Sequence, residues 1–154
     1  MTPQQLVLHF LCCIVIGLCV AYPPFKNYIP NSRRVPDPCR TEIVDGKTEL
    51  HYVKAVGHYG INSARNPFGL DFRRTRGNWT ILCRLDSDGD GLYNGYELGD
   101  VRCMWKAYYP RSWRSLRAPF SHPGITEVFN KTSKRYEVVP QLRMALCSRR
   151  FPLI

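Results

Sequence analysis

Apolar residues along this chain gather in short bursts, with one long exception near the start. Leu6 to Ala21 reads LVLHFLCCIVIGLCVA, sixteen residues without an acid, lysine or arginine. Cys19-Val20-Ala21 places small residues at the two positions a signal peptidase inspects, and Pro23-Pro24 follow at once. A membrane span needs roughly 20 residues, so this run is short for one. It reads as a secretory signal over 1–21, with the mature chain at 22–154.

The remaining pattern predicts short elements. Residues 22–40, rich in Pro, Asn and Arg, read as an irregular arm tied down by Cys39. Residues 41–56 (TEIVDGKTELHYVKAV) predict a hairpin: Asp45-Gly46 supplies the turn, and β-branched or aromatic residues flank it. Residues 57–77 carry Gly57, Gly60, Pro67, Gly69 and Gly77, which predicts a loop packed by Tyr59, Phe68 and Phe72. Residues 78–85 predict a helix of about two turns, capped by Asn78, with Trp79 and Leu82 on one face. Residues 104–124 are aromatic and basic without a clear period. Residues 125–139 predict a second hairpin turning at Asn130–Ser133, ended by Pro140, after which residues 142–146 lead to Cys147. The fold class expected is α+β: one small, loop-rich, disulfide-bonded domain of short helices and hairpins. Twelve prolines and eleven glycines in 154 residues favour irregular structure over a large core.

One segment carries sharper chemistry. Residues 86–97 read DSDGDGLYNGYE and match D-x-[DN]-x-[DN]-G-x5-E throughout. Calcium takes six to eight oxygens at roughly 2.3–2.6 Å. Alternation lets the carboxylates of Asp86, Asp88 and Asp90 converge, and Gly91 permits the sharp turn that follows. Leu92 offers a backbone carbonyl, Asn94 a ligand directly or through water, and Glu97 both carboxylate oxygens. Residues 86–100 hold five acids and no base, which repel one another unless a cation sits among them. A single loop with a short outgoing helix, stopped at Gly99, is an EF-hand-like site of a structural kind, not an opening switch. Calcium is the cofactor expected.

Cleavage after Ala21 removes Cys12, Cys13 and Cys19 and leaves Cys39, Cys83, Cys103 and Cys147. An even number outside the cell implies two bridges, with three pairings open. All charged residues lie in the mature part, which keeps the formal charge of +10. Such a basic surface attracts acidic glycans, anionic mineral or acidic partners. A secreted chain without a binding motif argues against nucleic acid. Asn78-Trp79-Thr80 and Asn130-Lys131-Thr132 are glycosylation sequons; Asn130 sits in a predicted turn, whereas Asn78 is engaged as a helix cap.

In combination, RNPFGLDF (Arg65–Phe72), Trp79, LCRLDSDGDGLYNGYELGD (Leu82–Asp100), Cys103-Met104-Trp105 and SHPG (Ser121–Gly124) resemble the temptin family. YPPFKNYIPNSRRVPDPC at the mature start and VGH at Val56–His58 extend the likeness over about residues 22–125. Temptins are secreted, water-borne proteins of molluscs, associated with mate attraction within pheromone mixtures. The resemblance implies a Cys83–Cys103 bridge and an outer Cys39–Cys147 bridge. It also implies binding to an extracellular protein receptor or to co-secreted peptides. Val101 stands where the family commonly has proline, and YGINSA stands where it often has a glycine run.

Two other readings compete. An extracellular matrix or biomineral-associated calcium-binding protein would use the basic surface. An enzyme, or a subunit assisting an oxidase, would need a metal on His51, His58 and His122, whose spacing fits no compact motif. No serine-nucleophile motif, phosphate loop or metalloprotease signature is present, so an enzyme is not expected.

Overall fold

A computed structural model describes residues 25–44, 47–60 and 63–148. The segment expected to be a signal, 1–21, and the turn expected at Asp45-Gly46 lie outside the described residues. After a 3-10 turn at Phe25–Tyr28, strand β1 (Pro36–Val44) pairs antiparallel with β2 (Lys47–Tyr52). The pairing runs Val44↔Lys47 to Thr41↔Leu50, then slips before Pro36↔Tyr52. Proline has no N–H for the ladder, so the slip falls where Pro36 and Pro38 interrupt it. The strand therefore starts inside the stretch read from sequence as an irregular arm, and it carries Cys39.

Residues 57–77 are not wholly a loop, as expected from their glycines. Helix α1 spans Pro67–Arg74. Asn66 caps it by accepting from the Gly69 N–H at 2.9 Å, and Pro67 fills the first helical position, where no N–H is needed. Gly69 sits mid-helix for a packing reason: a Cβ there would meet the Gly57 carbonyl oxygen at 1.9 Å. The helix ends as Arg76 (φ 53°) and Gly77 (φ 71°) turn left-handed and the Gly77 N–H reaches the Phe72 carbonyl at 2.9 Å.

Helix α2 is a single turn, Trp79–Leu82, shorter than the two turns expected. Helix α3 (Asn94–Glu97) follows the acidic loop and stops at Gly99, which has φ 80°. A 3-10 turn at Pro110–Ser115 precedes the second hairpin, β3 (Glu127–Asn130) with β4 (Arg135–Val138). Its turn, 131–134, falls one residue later than predicted. Helix α4 (Pro140–Ser148), unforeseen from sequence, has Pro140 at its start and carries Cys147.

Val35, Phe68, Leu82 and Leu98 are fully buried and form the core with Trp79 and Trp105, whose rings meet edge to face at 6.1 Å. Cys39–Cys147 fastens β1 to α4, and Cys83–Cys103 closes the segment containing the acidic loop. Among the described residues no helix is long and apolar enough to cross a membrane.

Candidate metal centre

The acidic loop is anchored at both ends. The Asn94 N–H donates to the Leu85 carbonyl at 2.8 Å and the Gly95 N–H to the Cys83 carbonyl at 2.9 Å. Gly95 lies against the bridge itself, since a Cβ on it would overlap Cys83 Sγ at 2.1 Å. Between these anchors the loop's own amides orient the acids. Asp86 accepts from the Gly89 and Gly91 N–H groups at 2.8 and 2.9 Å. Asp88 accepts from the Asp90 N–H at 3.3 Å, and Asp90 from the Leu92 N–H at 2.9 Å. Gly91, at φ 92°, makes the turn that a side chain would strain.

These bonds bring one oxygen each of Asp86, Asp88 and Asp90 within 4.8 Å of one another. Glu97 is outside that group, but it is fully buried and its ionisation is opposed by the charges of Asp88 and Asp90. Asn94 is also fully buried; its amide nitrogen donates to the Leu82 carbonyl at 2.7 Å and to Ser87 Oγ at 2.9 Å, which leaves its oxygen available. Among the described residues, no donor reaches the buried oxygens Asp88 Oδ2, Asn94 Oδ1 and Glu97 Oε2. A buried oxygen without a donor costs about 1–3 kcal/mol, more for a charged group. Three of them on positions 3, 9 and 12 of one loop suit a hard cation, and Leu92 is half-buried beside them.

Two acids change place relative to the sequence reading. Asp100 does not add to the crowd. Its carboxylate is buried and accepts from Trp79 Nε1 at 2.7 Å and from the Met104 and Trp105 N–H groups at 3.0 Å each. Glu127, on β3 and also buried, takes its place: its N–H donates to Asp90 Oδ2 at 3.4 Å. Its carboxylate accepts from the His122 N–H at 2.6 Å. Neighbouring residues tie the same segment to the loop. Thr126 Oγ1 donates to the Asp88 carbonyl at 3.0 Å and Ser121 Oγ to Glu97 Oε1 at 3.0 Å. Nothing local in the sequence marks Glu127, because it comes from a strand thirty residues beyond Glu97.

Burial dominates the electrostatics. Desolvation, helped by the Asp90 and Asp86 charges, pushes the Asp88 carboxyl up to about 7. Desolvation raises Asp90 as well. Glu97 is pushed up to about 10 by burial and then by Asp88 and Asp90. Burial lifts Glu127 to about 8, against the opposing hydrogen bond from His122. Four acids that resist ionising together form a site whose charged state needs a counter-charge.

The histidines are dispersed: among the described residues, Asp86, Asp88 and Asp90 form the one grouping of three or more potential metal ligands. His58 Nδ1 lies 2.7 Å from the Ser63 carbonyl, and His122 is buried beside Gly124. Of the two sequon asparagines, Asn78 is exposed and its oxygen caps α2 through the Thr80 N–H at 3.1 Å. Asn130 is half-buried at the end of β3 and donates to Glu137 at 2.9 Å.

Fold and site define a small α+β domain, closed by two disulfides, around an acidic loop. The chain belongs to the temptin family: the family model described as Temptin C-terminal matches residues 19–125. The chain is 39% identical over 118 residues to Temptin of Aplysia californica, a match covering 74% of this chain and 85% of that protein. No solved structure matches it. Glu127 and the second hairpin lie beyond the residues that the family model matches.

Proposed function

We propose that this chain is a secreted, calcium-stabilised component of a water-borne signal, acting by binding an extracellular protein receptor or co-secreted peptides. The match to Temptin across most of both chains carries the signalling part of this reading. Calcium rests on the convergent carboxylates and the three donorless buried oxygens. Its ligands are Asp86, Asp88, Asp90, the Leu92 carbonyl, Asn94 and Glu97. When bound, the ion neutralises the loop and fixes α3 against the Cys83–Cys103 bridge. At the roughly 10⁻⁴–10⁻³ M affinity of extracellular modules it would stay occupied outside the cell.

Partner contact has a candidate surface. Trp105 is buried in the core, but Tyr108, Tyr109 and Trp113 of the same stretch are exposed at 74, 50 and 53%. Arg111 and Arg114 are exposed among them. Exposed aromatics interleaved with arginine are typical of interface hot spots.

The test is native mass spectrometry of the protein recovered from culture medium, followed by a water-borne attraction assay on the source species. The expected result is an amino terminus at Tyr22, one bound calcium, and attraction that the Asp86→Ala/Glu97→Ala variant loses. Extraction of the native protein from the animal only with demineralising acid, and no attraction, would turn the reading to a matrix protein.

A further inference from the structure

A cavity of about 1090 Å³, away from the acidic loop, lies between the Phe25–Tyr28 turn, the 54–60 segment and α1. Its surface is mostly apolar, with Phe25, Ile29, Val56, Phe68 and Phe72 among the lining residues. Phe25 and Phe72 meet edge to face at 5.6 Å. Cations also line it: Lys26, Lys54, Arg65, Arg73 and Arg76, all exposed. Among the described residues no acid lines the cavity, and none of these five cations has a carboxylate partner. Asp71, the acid of α1, is taken by Arg74 at 3.0 Å and by Ser87 at 2.9 Å. Arg76 holds a left-handed backbone (φ 53°) that ordinarily suits glycine, and this sets its side chain on the cavity.

We propose that this cavity binds a small amphiphilic anion, an apolar chain or ring system carrying one carboxylate or sulfonate-type head. The apolar lining supplies the driving force for the body of the ligand. The five cations supply charge complementarity for the head, and three of them, Arg65, Arg73 and Arg76, can form forked bonds to an oxyanion. The volume is about that of a small-molecule site. The inference does not rest on the calcium or signalling readings, because no lining residue belongs to the acidic loop.

The full secreted chain, oxidised and in millimolar calcium, would be titrated with 1-anilinonaphthalene-8-sulfonate and with its uncharged analogue N-phenyl-1-naphthylamine. A saturable 1:1 complex is expected with the anion, and binding weaker by about tenfold or more with the neutral analogue. Lys54→Glu/Arg73→Glu alters two exposed positions; it should remove that preference for the anion without moving the melting temperature. Ala55→Trp, at a half-buried lining position, should block both probes, and if it fails to fold the charge-reversal variant alone decides. Absence of saturation, equal affinity for the two probes, or anion binding untouched by the charge reversal would overturn the proposal. So would an acidic heptapeptide that binds more tightly than the anion, since a peptide would then be the occupant.

Discussion

At the scale of single residues, the loop is a set of acids arranged against their own ionisation. Asp88, Glu97 and Glu127 have folded-state values of about 7, 10 and 8, against ordinary values of 3.8 for Asp and 4.5 for Glu. Above an ordinary value the unfolded chain has released the proton while the folded chain retains it. Their contribution to stability is therefore whole below about pH 4 and is lost as pH climbs through the folded values. Thermal melts in chelator should show stability declining between pH 5 and pH 8, inside the window of roughly 4 to 10 that these shifts define, and millimolar calcium should abolish the decline. A metal-free melt that rises over the same range would refute the arrangement. In the same assay Asp86→Ala/Glu97→Ala should melt alike with and without chelator. The convergence of Asp86, Asp88 and Asp90 was legible in the sequence because alternate carboxylates on so tight a turn face one point. Glu127 was not, since its approach depends on where β3 lies, and Asp100 misled because acidity alone does not reveal two indole-bearing neighbours that claim its carboxylate.

Among elements, legibility followed how local the cause was. Both hairpins could be read, because β-branched alternation and turn residues lie side by side in the chain. Helix α1 could not, since glycine was read as a break when its role is contact: Gly69 and Gly57 let two backbones touch. That account makes a prediction opposite to helix propensity. Replacing an interior helical glycine by alanine ordinarily gains about 1 kcal/mol. Here Gly69→Ala drives a methyl into the Gly57 carbonyl oxygen, which cannot swing aside as a side chain can. The variant should lose on the order of 2–3 kcal/mol in denaturant unfolding. A stabilised Gly69→Ala would mean that the contact is slack. Helix α4 was also hidden, because Pro140 reads equally as the end of a strand and as the first residue of a helix.

Across the whole molecule, the two bridges do different work although both are disulfides. Cys39–Cys147 has a sequence separation of 108 and fastens the first strand to the last helix, neither of which carries a residue of the acidic loop. Cys83–Cys103 has a separation of 20 and encloses the loop, with Gly95 packed on its sulfur. Closing a loop of that smaller size restricts the unfolded chain by about 3 kcal/mol in the entropy model. Part of that restriction is the same ordering that an ion must impose on residues 86–97, so bridge and ion are coupled rather than additive. Calcium titration of Cys83→Ala/Cys103→Ala should accordingly show affinity weakened by about tenfold, roughly half of the bridge's entropic effect. Cys39→Ala/Cys147→Ala, in contrast, should lower the melting temperature yet leave calcium affinity unchanged, because the loop's anchors at Cys83 and Leu85 stay closed. Equal weakening in both variants would mean that the ion responds to global stability, and that the inner bridge holds no special relation to the loop it encloses.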